Sequence, residues 1–250
     1  TDQSSNSNNF SLGGGTLTKT EDCPSNVFAT LNPLDKGLTS TSFNLSNGNL
    51  TMGNASNTND YGLRGTLGAS SGKYYWEIKI VNGGEVLAVT KSDTRLTINN
   101  MDGTPDAGFW GWQSNGTGAS INSYNNGTFS NSNALQGYAN NSIIGVALDM
   151  DNGKLYMSID GVFKGADNNT SDPVNQTNPF YTTIPTDGTF IMPYTEHRSS
   201  GDPASHWNFG NGYFGTTAVS SAGTNASGNG IFEYDVPTGY TALSTKGLNL

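Results

Sequence analysis

The chain has 250 residues, a length that a single large β-sandwich can fill. Charged side chains make up 12% and hydrophobic ones 33%, with 33 glycines and a formal net charge of −9, so polarity comes mainly from Asn, Ser, Thr and Gly, residues of turns rather than helices. The 11 Phe, 11 Tyr and 4 Trp argue against disorder, the scattered Lys and Arg against a nucleic-acid surface, and the lack of a long apolar run against membrane insertion.

Residues 1–21 are Ser, Asn, Gly and Thr with little apolar patterning. They read as an arm, mobile alone or ordered against a neighbouring subunit. The opening Thr1-Asp2-Gln3-Ser4-Ser5 lacks the basic and hydrophobic regions of a secretory signal. Cys23 has no partner in the chain, which excludes an intrachain disulfide or a cysteine-rich zinc site and leaves a small buried thiol as the plain reading.

Strand signals follow. Residues 42–45 and 49–52 flank Ser46-Asn47-Gly48, a hairpin turn. Over 73–80, Tyr74, Trp76, Ile78 and Ile80 alternate with Tyr75, Glu77 and Lys79, the pattern of a half-buried strand. The interval 81–108 reads as a loop insertion. In 109–112, Trp110 and Trp112 share one face, which suits the interior better than a sugar-stacking platform.

Residues 143–161 carry the clearest local pattern. A two-residue type I′ turn at Asn152-Gly153 sets Asp151 opposite Lys154, Met150 opposite Leu155, Leu148 opposite Met157 and Val146 opposite Ile159, with every large apolar pair on one face. Asp160-Gly161 marks a further turn, or part of a longer loop, before Val162-Phe163-Lys164. Later strands are expected over 189–194, 206–210 and 240–243, separated by Gly- and Asn-rich stretches, the one over 215–230 being a second loop insertion. No helical period is sustained and no repeat is evident, leaving an all-β, largely antiparallel sandwich or jelly roll.

The order Tyr74-Tyr75-Trp76-Glu77-Ile78, then Ile144-Gly145-Val146-Ala147-Leu148-Asp149, then Asp151-Asn152-Gly153-Lys154-Leu155 with Ile159-Asp160-Gly161, resembles the SPRY family, and Trp207-Asn208-Phe209-Gly210 extends the likeness. The resemblance covers roughly residues 65–215 and implies two packed antiparallel sheets of the concanavalin-like jelly-roll type, with loops that engage partners. The flanks, 23–33 and 237–245, look like those of SPRY-like proteins of tailed phages, which would extend the sandwich over 22–250.

Chemistry finds little support. Glucanases of related folds resemble one another in a Glu-x-Asp-x-Glu or Glu-x-Asp-x-x-Glu strand, and neither spacing occurs here, although dispersed carboxylates would also serve hydrolysis. His197 and His206 lie beside no nucleophile motif. With Glu196 and Asp202 they lack a recognised metal-ligand spacing, so exposed loop polarity is the plainer reading. Asp149 and Asp151 are better explained by a hairpin than by a calcium loop. No catalytic residue, metal or cofactor is therefore assigned. The candidate binding residues are Tyr124, read as lying in an exposed Asn/Gly loop, and His197 with Arg198 in a second loop.

The expected function is a non-catalytic structural protein of a phage virion, a capsid decoration, head-fibre or tail-fibre module. Its expected contacts are other virion proteins, copies of itself in a homo-oligomer, or a host-surface glycan. A secreted or displayed lectin-like module is the alternative, and a polysaccharide-degrading enzyme the more distant one.

Overall fold

The computed structural model describes residues 22–37, 43–54, 61–83, 85–96, 107–114, 121–132, 137–197 and 201–249. The arm expected over 1–21 and Arg198 lie outside the described residues, as does the side chain of His197. In chain order the strands are β1 (Leu31–Lys36), β2 (Phe43–Ser46), β3 (Thr51–Asn54), β4 (Tyr61–Gly65), β5 (Lys73–Ile80) and β6 (Glu85–Lys91). They continue with β7 (Phe109–Ser114), β8 (Ile121–Asn125), β9 (Thr128–Ser132), β10 (Ile143–Asp149), β11 (Lys154–Ile159) and β12 (Val162–Lys164). Then come β13 (Ile191–His197), β14 (Gly201–Asn208) and the short β15 (Tyr213–Phe214), β16 (Thr217–Ala218) and β17 (Thr241–Ala242).

Among the described residues these strands form two facing sheets. The first runs β1-β4-β13-β6-β7-β8-β9 and the second β12-β11-β10-β5-β14-β3-β2, while β15 and β16 make a separate ribbon. The ladders are antiparallel except for β17, which runs parallel to β5 at Tyr74 and Tyr75, on the part of β5 beyond its Glu77–Ile80 pairing with β14. The interval 81–108 is more than an insertion, because its Glu-Val-Leu-Ala-Val-Thr-Lys run supplies β6, an interior strand of the first sheet.

The inner faces are aromatic. Trp76, Trp110, Trp112 and Trp207 are all buried, with Trp207 stacked on Phe209 at 5.5 Å and Trp112 against Phe180 at 5.6 Å. Trp110 and Trp112 thus share the interior as their alternation predicts. Each such side chain removed from water contributes roughly 2–3 kcal/mol. Phe180 and Tyr181 come from the irregular stretch 165–190: Tyr181 bridges Leu155 of the second sheet and donates its hydroxyl to the Gly111 carbonyl of the first.

The β10–β11 hairpin corrects the register expected for it. Asp149 pairs with Lys154, Leu148 with Leu155, Val146 with Met157 and Ile144 with Ile159, so the loop has the four residues 150–153 rather than two. Asn152 lacks the positive φ that a type I′ turn requires, and only Gly153 (φ 64°) has it. The Asp149 carboxylate accepts hydrogen bonds from the Asn152 backbone and amide, Met150 is buried, and Asp151 accepts the Gly72 N–H. A slip of two residues leaves the faces unchanged, so the apolar set lands in the core as expected.

Two-residue type I′ turns occur elsewhere, at Asn126-Gly127 (φ 47° and 90°) and Asp160-Gly161 (φ 49° and 82°), the latter tighter than the longer loop considered for it. Cys23, expected to be buried, is exposed in a turn held by reciprocal backbone bonds with Asn26. The half-buried reading of 73–80 also needs correction, because Tyr75 and Glu77, on the outer face, are fully buried beneath the C-terminal segment.

Gly48 and Gly153 both have positive φ, but a Cβ at Gly48 meets nothing within 4 Å whereas one at Gly153 would lie 2.5 Å from the Ile184 carbonyl oxygen. Gly48→Ala is expected to cost about 1–2 kcal/mol, the left-handed backbone alone. Gly153→Ala should cost about 3 kcal/mol by adding a clash. Urea unfolding of both variants measures the difference.

Candidate functional site

Tyr124 is not on an exposed loop. Because Asn126-Gly127 turns tightly, β8 continues to Asn125 and Tyr124 is a buried strand residue. Its ring lies 5.4 Å from Phe129, its hydroxyl donates to Gln113 Oε1 and its N–H to the Tyr181 hydroxyl. His197 ends β13, paired through its backbone with Glu85 and Tyr61. β6 and β7 separate Tyr124 from His197 in the sheet, so the structure does not bring these two candidates together.

Glu196 and His206 likewise lie on strands, β13 and β14 of different sheets. Thr195 and Ser205 point between the sheets, so Glu196 and His206, each one residue further on, point outward on opposite sides of the sandwich. Glu196 accepts the Tyr194 hydroxyl at 2.9 Å. His206 shares a 2.9 Å hydrogen bond with Thr51 Oγ1, and burial followed by the charge of Lys79 lowers its pKa. These two residues therefore cannot ligate one ion.

Sequence reasoning passed over two buried carboxylates, Glu85 and Glu77, and read a third, Asp149, only as part of a hairpin. Glu85, from β6, reaches between the sheets, where its Oε1 accepts Thr195 Oγ1 of β13 at 2.6 Å and Ser205 Oγ of β14 at 2.7 Å. Ser205 in turn accepts the Trp207 indole N–H. Glu77, on the outer face of β5, accepts the Tyr75 hydroxyl and the backbone N–H groups of Glu233 and Tyr234, all within 3.0 Å. Asp149 pairs with Lys73 at 3.0 Å. Burial pushes Glu77 and Glu85 up to about 7, against the hydrogen bonds that favour their ionised forms.

The surface relief lies where the C-terminal segment crosses the second sheet. A cleft of about 410 Å³ is lined by Gly72, Lys73, Tyr74, Asp151, Ser227 and Tyr240. The Lys73 ammonium sits 5.7 Å from the Tyr240 ring centroid, and the Tyr240 hydroxyl has no hydrogen-bond partner among the described residues. A second groove, of about 430 Å³, is lined by Phe163, Asp172, Val174, Asp235, Val236 and Pro237. Its carboxylates are occupied: Asp172 accepts the N–H groups of Asn175 and Val174, and Asp235 accepts the Thr224 backbone N–H and the Thr224 hydroxyl. These bonds hold both acids below the ordinary range. Val174 is 49% exposed, so the groove offers apolar side chains among hydroxyls, and acids already committed to their own loops.

Residues 73–185, less than half of the chain, match the family model described as the SPRY domain, and the span falls inside the stretch whose motifs carry the resemblance. The crystal structure of the SPRY domain of human HERC1 is similar at 16% identity, over 71% of this chain and 96% of that one, with a TM-score of 0.49. The TRIM65 PSpry domain is similar at 17% identity, over 72% of this chain and 90% of that one, with a TM-score of 0.50. No curated protein matches the chain. The chain is an all-β antiparallel sandwich of the SPRY, concanavalin-like jelly-roll type.

Glu77 and Glu85 give stability a defined pH dependence. Their folded pKa of about 7 lies above the ordinary 4.5, so between these values the folded state holds more protons than the unfolded one. Their contribution is complete below about 4.5 and is lost as the pH rises through about 7. The domain should therefore be more stable at pH 5 than at pH 8, by up to about 3 kcal/mol per carboxyl. Denaturant titrations across this range test it, and Glu85→Gln should remove about half of the slope.

Proposed function

We propose that this SPRY-type sandwich is a non-catalytic protein-interaction module, and that it works on a tailed-phage particle as a decoration or fibre domain. The observation that carries the first part is the groove at Phe163, Val174 and Val236, whose walls mix these apolar side chains with the hydroxyls of Thr170, Ser171 and Thr238 and whose two acids are held by their own loops. Such a surface suits docking of a protein segment better than proton transfer to a substrate. Glu77, Glu85 and Asp149 support the same reading, because each is engaged in bonds that hold the fold and none lines either large cleft. The virion role rests on the likeness of residues 23–33 and 237–245 to flanks of phage SPRY-like proteins.

The recombinant chain added to purified particles that lack it should be retained at a fixed number of copies. Val174→Asp should lower retention about tenfold with an unchanged melting temperature, the loss expected for one central apolar contact. Retention equal to wild type would sink the groove as the docking surface. Absence of the native protein from mature virions, judged by mass spectrometry, would sink the particle role. Competition by host glycans would favour a lectin-like module instead.

A further inference from the structure

The two sheets end in four edge strands, and they are not treated alike. β1 carries Pro33, Asp35 and Lys36, and its register with β4 is broken by an irregularity. β12 has three residues and is covered by its own chain, through the Lys164–Thr170 bridge and the Ser171 N–H to Phe163 carbonyl bond. β2, Phe-Asn-Leu-Ser, carries no proline or lysine of its own but is only four residues long, with Leu45 in a cleft beside Lys36 and Pro33 of β1. Proline, lysine, irregular register and self-covering are the devices by which proteins prevent strands from adding to a sheet edge.

β9 has none of them. Its sequence is Thr-Phe-Ser-Asn-Ser, and no described residue pairs with its outer side. It also sits in an unusual stretch of sequence. From Ala107 to Leu148 there is no Asp, Glu, Lys, Arg or His, in a chain whose net charge is −9. This stretch supplies β7, β8 and β9, so the edge half of the first sheet is free of charge.

The β8–β9 turn fixes which backbone groups are available. In a two-residue type I′ hairpin the flanking residues, here Asn125 and Thr128, form a hydrogen-bonded pair, and bonded and non-bonded pairs alternate from there. Tyr124–Phe129 and Asn122–Asn131 are therefore non-bonded pairs. The N–H and C=O groups of Phe129 and Asn131 point away from β8, toward the open edge.

We propose that β9 is the homodimer interface of this protein, pairing antiparallel with β9 of a second copy about a twofold axis at Ser130. In that register Phe129 of each copy exchanges both backbone bonds with Asn131 of the other, and the first sheet runs unbroken through both. A second copy is the occupant that the charge distribution favours. Two bodies of net charge −9 repel wherever their acids face, and the charge-free side is where they approach at least cost. A twofold axis also matches this edge to itself, as an isologous interface requires. The proposal goes beyond the interaction-module reading and does not depend on it.

Sedimentation analysis of the full chain from about 1 μM to 1 mM tests the pairing. The wild type should pass from monomer to dimer across this range, and more readily in high salt, which screens the repulsion between copies. Asn131→Pro removes an outward N–H without touching the β8 ladder. Ser130→Lys places like charges at the axis on an exposed position, and it serves alone if the proline variant fails to fold. Each should weaken association at least about tenfold with an unchanged melting temperature. A wild type that stays monomeric throughout, or folded variants that associate as it does, would overturn the proposal. A monomer that still binds particles would remove the edge pairing alone, while a dimer absent from particles would remove only the virion role.

Discussion

One carboxylate on the outer face of β5 organises the half of the molecule that lies beyond the sheets. Glu77 receives the Tyr75 hydroxyl and two consecutive backbone N–H groups, of Glu233 and Tyr234, and thereby fastens the C-terminal segment across the second sheet. Phe232 meets Tyr75 edge-on at 5.1 Å, and Asn208 reinforces the crossing by donating to the Ile231 carbonyl and accepting the N–H groups of Gly210 and Gly212. A carboxylate so enclosed is costly unless its oxygens are satisfied, and the segment's backbone satisfies them. Because this strap is in place, a sheet face that would otherwise meet water is buried, and the strap's margins become the walls of both clefts.

Residue alternation revealed which faces were apolar but not where each ladder begins. The period of two that put Leu148, Val146 and Ile144 in the core is indifferent to a shift of two residues, so the length of the β10–β11 loop had to come from elsewhere. It comes from Asp149 and Met150, one reaching forward to Asn152 and the other plugging into the core, contacts that no local pattern reports. The same dipeptide type misled in the opposite direction at Asn126-Gly127, where a tight turn looked like a loose polar loop and made Tyr124 look exposed. β6 was hidden by its setting, since a short apolar run, Val86 to Val89, between Gly- and Asp-containing stretches resembles part of an insertion. Glu77 was illegible for a different reason, since one charged residue in an alternating strand reads as solvent-facing until the segment that covers it is known, while Glu85 belongs to the strand hidden in that insertion and faces the opposite sheet.

The family match and the surface relief come largely from different parts of the chain. The matched residues 73–185 contain β5 to β12 with Glu77 and Glu85. Ser227, Asp235, Val236, Pro237 and Tyr240, which complete the two clefts, lie beyond the match. A common scaffold can therefore present local relief that owes little to its relatives, and the identity of a partner has to be sought in this chain's own strap and loops.

The two flanks of the sandwich meet side by side. Ala29 donates to the Leu243 carbonyl and Thr245 to that of Val27, with Phe28 bridged antiparallel to Ser244. Tension applied through the residues outside Val27 and Thr245 would load the outer bond first and the inner one only after it had parted. Bonds arranged in this way peel in succession rather than sharing a shearing force, so the seam is mechanically weak along that line of pull. A particle that used this sandwich under strain would do better to grip it by one flank, or across its sheets, than to stretch it between the two.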